Sequence, residues 1–233
     1  EAQREHAHGY KGYTGLPELR KAFARWYERF YGVALDPERE VLPLIGSKEG
    51  ILYISMAFLN PGDEVLIPDP GYPTYQAVSQ LLQAQIITYD LDEQNNWEPD
   101  FEALEKRDLS RVKLMWVNYP NMPTGAGASK RLFNRLIEFG LKHKILICND
   151  NPYSFILNEY PLSILGVKGA RQVAIELNSL SKSHNMAGWR VGMLSGAQEY
   201  VQTVVKVNTK VQSGRGYPGQ KASEQALHLP GSW

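Results

Sequence analysis

The sequence contains little cysteine, no excess charge of either sign and no long apolar run. Its one cysteine among 233 residues, Cys148, excludes a disulfide framework and any metal site built from several cysteines. The 25 basic residues balance the 25 acidic ones, so the clustered positive charge that nucleic-acid binding requires is missing. No stretch approaches the roughly 18 apolar residues of a membrane span. We therefore expect a cytoplasmic protein without nucleic-acid or membrane partners.

What the sequence does contain is a regular alternation of short β-rich runs with longer helical patterns. Runs 114–117 and 145–148 are apolar throughout, as is typical of buried parallel strands. The alternation predicts an α/β domain with a mainly parallel sheet. Strands are predicted over 41–45, 64–68, 86–91, 113–119, 144–150, 173–180 and 191–195, and helices over 18–31, 48–59, 74–82, 129–142 and 198–211.

Polar side chains collect directly after four of the predicted strands. Asp69 to Tyr72 follow one strand, Asn118 ends another, Asp150 and Tyr153 close a third, and Ser179 to Lys182 close a fourth. In open α/β sheets, ligands bind beyond the carboxyl ends of the strands. The four clusters therefore predict one shared site.

The segment 46–50, Gly-Ser-Lys-Glu-Gly, follows a strand and opens a helix. Ser47 is expected to cap this helix, and the free amides of its first turn suit an anion. A plain helix cap with a tight turn explains the segment about equally well. The spacing of a nucleotide-binding P-loop is absent, which argues against that class of NTPase.

Lys182 comes directly after an apolar strand, within Ser-Leu-Ser-Lys, and Arg190 lies eight residues further on, within Gly-Trp-Arg-Val-Gly. A partly desolvated lysine in such a position can act as a nucleophile toward a carbonyl group. Taken alone, the segment is better explained by a surface lysine in a turn.

Together these motifs resemble the large domain of fold-type I, class I/II pyridoxal-phosphate-dependent aminotransferases, of the aspartate and aromatic branch. Tyr10 beside Gly-Tyr-Thr-Gly-Leu-Pro at 12–17, Pro-Gly-Tyr-Pro at 70–73, Pro-Thr-Gly at 123–125 and the Asp150–Tyr153 pair occur in the family's order. The resemblance covers nearly the whole chain, residues 1–233. It implies a three-layer α/β/α fold with a mixed, mainly parallel sheet.

The resemblance also implies roles for individual residues around pyridoxal 5′-phosphate (PLP). Lys182 would hold the cofactor covalently and later carry a proton, Asp150 would pair with the pyridine nitrogen, and Tyr153 would donate to the phenolic oxygen O3′. Tyr72 would lie against the ring. The phosphate would contact the backbone amides of Ser47 and Lys48, the hydroxyls of Ser179 and Ser181, Arg190, and Tyr10 of a neighbouring subunit.

One position departs from the family pattern, because Met122 stands where the family has an asparagine that donates to O3′. A methionine side chain cannot donate a hydrogen bond. Either Asn118 or Tyr153 compensates, or O3′ is held less firmly in this protein. We expect this departure to affect the pKa of the bond between lysine and cofactor more than it affects the binding of the cofactor.

The leading hypothesis is ping-pong transfer of an amino group from an amino acid to a 2-oxo acid by a homodimer with shared active sites. A carbon–sulfur β-lyase on the same scaffold and the cofactor-binding part of a transcription regulator remain alternatives. A metal hydrolase is disfavoured, since the one tight histidine pair, His6 and His8, lacks a third ligand. Both ends look cut, so we expect the middle of a longer protein, without the family's N-terminal arm and C-terminal small domain.

Overall fold

The computed structural model describes residues 3, 5, 7–10 and 12–229. The strands in this part of the chain are β1 (Val41–Leu44), β2 (Glu64–Asp69), β3 (Gln85–Asp90), β4 (Val112–Val117), β5 (Leu146–Asp150), β6 (Ala174–Ser179) and β7 (Gly192–Gly196). The helices are α1 (Pro17–Tyr31), α2 (Ser47–Phe58), α3 (Pro73–Leu81), α4 (Phe101–Glu105), α5 (Lys130–His143), α6 (Leu180–Ser183), α7 (Gln198–Val211) and α8 (Tyr217–Leu227).

All the strands belong to one sheet with the order β1-β7-β6-β5-β4-β2-β3. The neighbours from β6 across to β3 are parallel, whereas β7 runs antiparallel to both β6 and β1. The carboxyl ends of β1, β2, β4, β5 and β6 therefore lie at one edge of the sheet, and the antiparallel β7 begins at that same edge. The predicted mixed, mainly parallel sheet is confirmed.

Helices cover both faces of this sheet, because successive side chains of each strand point to opposite faces. On one face, Met115 and Ile147 pack with apolar residues of α1 and α5. On the other face, Trp116 and Cys148 pack with residues of α2 and α7. The three-layer arrangement is thus confirmed, and Cys148 is a buried apolar side chain whose burial raises the pKa of its thiol.

The predicted strands and helices occur where expected, with ends that differ by at most two residues. Helices α4, α6 and α8 were not predicted. The first two are too short to show a periodic pattern. In α8 the buried face includes Gln220 and Ser223, so a search for apolar periodicity passes over it. Among the described residues, no helix combines the length and the apolar character needed to cross a bilayer.

Candidate active site

A cavity of about 440 Å³ opens at the carboxyl edge of the sheet, within the size range of small-molecule and cofactor sites. Ten of the eleven predicted site residues line it. Met122, Pro152 and Ala187 complete the lining. The ten predicted residues are Ser47, Lys48, Tyr72, Asn118, Asp150, Tyr153, Ser179, Ser181, Lys182 and Arg190.

Asp150 is the last residue of β5 and lies almost wholly buried at the floor of the cavity. The hydroxyl of Tyr75 donates a hydrogen bond to its Oδ2 at 3.0 Å, whereas its buried Oδ1 has no hydrogen-bond partner among the described residues. Burial raises the pKa of this carboxyl to about 7. The hydrogen bond from Tyr75 opposes that rise, and the charge of Glu176 adds to it. A cationic N–H group at Oδ1 would relieve the cost of burying the carboxylate.

Lys182 is held by a one-turn helix that follows directly from β6. Ser179 caps this helix, since its hydroxyl accepts a hydrogen bond from the backbone amide of Ser181 at 3.2 Å. The ammonium nitrogen of Lys182 lies 6.0 Å from the ring centroid of Tyr153. Strand β6 is the parallel neighbour of β5 in the sheet, so a lysine and a buried carboxylate face one cavity.

The turn between β1 and α2 forms another side of the cavity. We expected Ser47 to cap α2, and this is wrong: Gly46 is the N-cap residue, with φ of 76°, and Ser47 is already helical without a side-chain capping bond. The left-handed φ at Gly46 brings the chain straight from strand to helix, so no serine cap is needed. Within the described part of the chain, no side chain caps the start of α2, so the amides of its first turn suit an anion.

The Arg190 guanidinium lies directly against this turn. Its Nη1 donates to the carbonyl of Ala187 at 3.1 Å, and a Cβ placed on Gly46 would stand only 2.5 Å from Nη2. The hydroxyls of Ser179 and Ser181 lie on the same cavity wall and are joined by a hydrogen bond of 2.9 Å. A cationic fork, two hydroxyls and a helix N-terminus are a donor set that matches a phosphate dianion.

The side wall is aromatic. Tyr72 precedes α3, and its ring meets that of Tyr75 nearly edge-on, with centroids 5.7 Å apart. The ammonium group of Lys48 lies 5.6 Å from the centroid of the same ring. Tyr72 thus offers a flat apolar surface beside the carboxylate and the lysine.

Opposite, the end of β4 is tied to β5 by Asn118. Its Nδ2 donates to the backbone carbonyl of Asp150 at 2.6 Å, and its Oδ1 accepts from the amide of Met122 at 2.7 Å. The neighbouring Asn121 binds Thr124 through its Oδ1 and so holds the turn. Met122, whose side chain carries a thioether and no amide, lines the cavity at this point.

Tyr10 is the one predicted site residue that the structure does not bring to the cavity, and its side chain is 88% exposed. His6, of the histidine pair considered for metal binding, lies outside the described residues.

Tyr75 is the residue at the site that sequence reasoning missed. It was assigned only to the interior of a helix. Its spacing of three residues from Tyr72 was the available signal, because residues three apart lie on the same face of a helix. Pro152 and Ala187 carry no polar group and gave no comparable signal.

Comparison with known proteins agrees with this architecture. The family described as aminotransferase class I and II matches residues 1–231, and the chain belongs to this PLP-dependent family. Among curated proteins, it is 47% identical over 209 residues to an LL-diaminopimelate aminotransferase of Dehalococcoides mccartyi, covering 89% of this chain and 54% of that protein. A protein of the same name from Aquifex aeolicus is 45% identical over 225 residues, covering 96% and 58%.

Solved structures are also similar to the chain. The substrate-bound BacF structure from Bacillus subtilis superposes with a TM-score of 0.96 at 36% identity, over 99% of this chain and 59% of that one. The chain spans between 54% and 58% of the two curated relatives named above. By their names, both curated relatives are aminotransferases, and neither is named as a β-lyase or a transcription regulator.

Proposed function

We propose that the protein is a PLP-dependent aminotransferase that passes an amino group from an amino acid to a 2-oxo acid in two half-reactions. The observation that carries the proposal is the shared cavity of Lys182 and the unpartnered Oδ1 of Asp150. A buried carboxylate oxygen fits a protonated pyridine nitrogen, and a lysine amine fits the cofactor's aldehyde. The donors around Gly46 and Arg190 fit its phosphate.

When bound, PLP supplies an electron sink that stabilises negative charge on the substrate Cα. Asp150 keeps the ring nitrogen protonated, because its buried carboxylate is stabilised by a cation at Oδ1. The same pairing offsets the cost of burying the carboxylate charge.

Lys182 would hold the cofactor through its Nζ. When that amine is free, it would act as the general base and acid that moves the proton to and from the substrate Cα. The short helix α6 holds it at the end of β6, facing the floor of the cavity.

The phosphate is anchored by Arg190, by the hydroxyls of Ser179 and Ser181, and by the backbone amides of Ser47 and Lys48. Tyr72 packs against the ring face, and Tyr153 donates a hydrogen bond to O3′. Since the amide of Asn118 already joins β4 to β5, Tyr153 carries most of the O3′ contact that Met122 cannot make.

We further propose that the working unit is a cytoplasmic homodimer in which Tyr10 reaches the phosphate of the partner subunit. The high exposure of Tyr10 supports this role, since a tyrosine that completes another subunit's site must project from its own. The names of the relatives make LL-diaminopimelate the first amino donor to test, with a panel of 2-oxo acids as acceptors.

Reduction with borohydride followed by peptide mass spectrometry tests the assignment of the lysine. Protein incubated with PLP should carry the reduced adduct on Lys182, and Lys182→Ala should carry none while keeping its fold by circular dichroism. The variant removes the ε-amine together with the methylene groups that carry it, so loss of the adduct at an unchanged fold identifies the attachment point.

Lys48→Ala is the matched control, because Lys48 lines the same cavity and only its backbone amide is assigned a role. This variant should keep the adduct on Lys182. An adduct on Lys48 in the unaltered protein, or one that survives Lys182→Ala, contradicts the proposal.

A further inference from the structure

Tyr75 lies behind the cavity wall rather than in it, and it is completely buried on α3. Its ring stacks on Trp116 of β4 with centroids 5.0 Å apart and planes 7° from parallel, and it meets Tyr72 edge-on. Packing on two sides leaves the phenol ring little freedom to turn. The position of its hydroxyl is therefore set by the core and not by a ligand.

That hydroxyl is the hydrogen-bond donor to Oδ2 of Asp150. Within the described residues, it is also the only group that donates a hydrogen bond to this carboxylate. Asn118 bonds the backbone carbonyl of Asp150, and Glu176 acts on it through charge alone. The phenol thus determines which carboxylate oxygen is engaged by the protein and which is left for a ligand.

We propose that Tyr75 is a positioning residue that orients the carboxylate of Asp150, so that Oδ1 presents its lone pair to the ring nitrogen of the cofactor. This inference rests on the proposed function of the cavity. A fixed acceptor binds a donor more tightly than one that must first be ordered. Tyr75 also packs against the Tyr72 ring, so one side chain supports both the nitrogen contact and the ring contact.

The test compares two probes that cannot react with Lys182. One is 4′-deoxypyridoxine 5′-phosphate, which keeps the ring nitrogen but lacks the aldehyde. The other is its 1-carba analogue, in which a C–H group replaces that nitrogen. The unaltered protein should prefer the first probe, because only that probe can pair with Oδ1.

In Tyr75→Phe, the ring and its packing remain while the hydroxyl is lost. Binding of the nitrogen probe would leave Oδ2 buried without a donor, whereas in the free variant the carboxyl can turn or take up a proton. We expect the Kd of the nitrogen probe to rise roughly tenfold and that of the 1-carba analogue to change less than about twofold, both by calorimetry.

Tyr89→Phe is the matched control. Tyr89 is also buried in the sheet layer, and its hydroxyl donates to the backbone carbonyl of Trp116 at 2.6 Å rather than to Asp150. This variant should leave the ratio of the two Kd values unchanged. Incorporation of 4-aminophenylalanine at position 75, which restores an N–H donor, should return the preference toward that of the unaltered protein.

The outcomes separate the inference from the proposed function. Equal weakening of both probes by Tyr75→Phe, or no rescue by 4-aminophenylalanine, would mean that Tyr75 acts only through packing and overturns the inference. Binding of both probes to the unaltered protein without preference overturns it too, since Oδ1 would not pair with the ring nitrogen. Failure of both probes to bind the unaltered protein overturns the proposed function itself.

Discussion

At the scale of single residues, Gly46 meets two structural requirements at once. Its φ of 76° lies in the left-handed region that favours glycine, and the Arg190 guanidinium occupies the space that a side chain would take. A glycine at this position therefore allows the tight turn into α2. It also leaves room for the Arg190 guanidinium beside the start of that helix.

Gly46→Ala should lower the free energy of unfolding by about 1 kcal/mol through backbone strain. It should also raise the Kd for PLP roughly tenfold, because the new methyl group displaces Arg190. Urea unfolding and fluorescence titration measure the two effects. Gly62→Ala is the control, since Gly62 has a φ of 85° with nothing within 4 Å of its Cβ position. An equal loss of PLP affinity in both variants would contradict this account.

Site residues could be predicted from the sequence where a charged side chain stands next to an apolar strand. A lysine, an aspartate and an arginine placed at strand ends stand out against an apolar chain, and all three line the cavity. The spacing of Tyr75 from Tyr72 could place Tyr75 near the site, but its contact with Asp150 spans 75 positions in the sequence, so no local pattern could identify that partner.

At the scale of elements, buried Glu176 joins three parts of the fold. Its carboxylate accepts hydrogen bonds from the Tyr27 hydroxyl of α1 at 2.9 Å and from the Asn149 amide of β5 at 2.8 Å. The hydroxyl of Ser163 and the amide of Ile164 complete the set at 2.7 and 3.0 Å. Burial raises the pKa of this carboxyl, and these donors oppose the rise.

Glu176→Gln should lower the free energy of unfolding by about 2 to 3 kcal/mol, because an amide group would bring its own N–H donors against donors in a buried site. Chemical denaturation at neutral pH provides the measurement. Glu105→Gln serves as the control: Glu105 pairs with Lys142 at the surface, and its loss should lower the free energy of unfolding much less than Glu176→Gln does. Similar costs for the two variants would argue against a special role for Glu176.

The predicted strands and helices agree with the observed ones because each element's apolar pattern lies within its own short stretch of sequence. Helix α8 escaped because Gln220 is buried through contacts with distant residues, including a hydrogen bond that its Oε1 accepts from the amide of Leu16. The cap of α2 was assigned to Ser47 because serine is a favoured cap, whereas the backbone of Gly46 made that cap unnecessary.

At the scale of the whole molecule, the sheet separates two apolar clusters and leaves the cavity at one edge. The floor of that cavity contains a carboxyl that is costly to bury in its charged form. Stability of the cofactor-free protein should therefore depend on the protonation of Asp150.

The pKa of Asp150 rises from an ordinary 3.8 to about 7 on folding, so the folded state binds the proton more tightly. The contribution of Asp150 is then fully present below about pH 4 and is lost as pH rises through about 7, by about 4 kcal/mol at most. The titratable or charged groups that raise or oppose this titration, or share its cavity, are Tyr72, Tyr75, Tyr153, Glu176, Lys48, Lys182 and Arg190.

Urea unfolding of the cofactor-free protein between pH 4 and 8, beside Asp150→Asn, isolates this contribution. The difference in stability between the two proteins should change with pH in this window, in favour of Asp150→Asn at high pH. With saturating PLP, the stability of the unaltered protein should depend less on pH, because the ring N–H pairs with the carboxylate. A difference that is independent of pH would show that the carboxyl titrates normally.

By itself, the sequence determined the three-layer α/β class, the positions of the main strands and helices, and the chemical groups that belong at the strand ends. These follow from apolar periodicity and from residue types that are costly to place anywhere else. Only the tertiary structure decided which oxygen of Asp150 is free, that Arg190 lies against Gly46, and that Tyr75 stands behind the site. Such contacts join segments far apart in the chain, and their geometry is set by packing across the sheet.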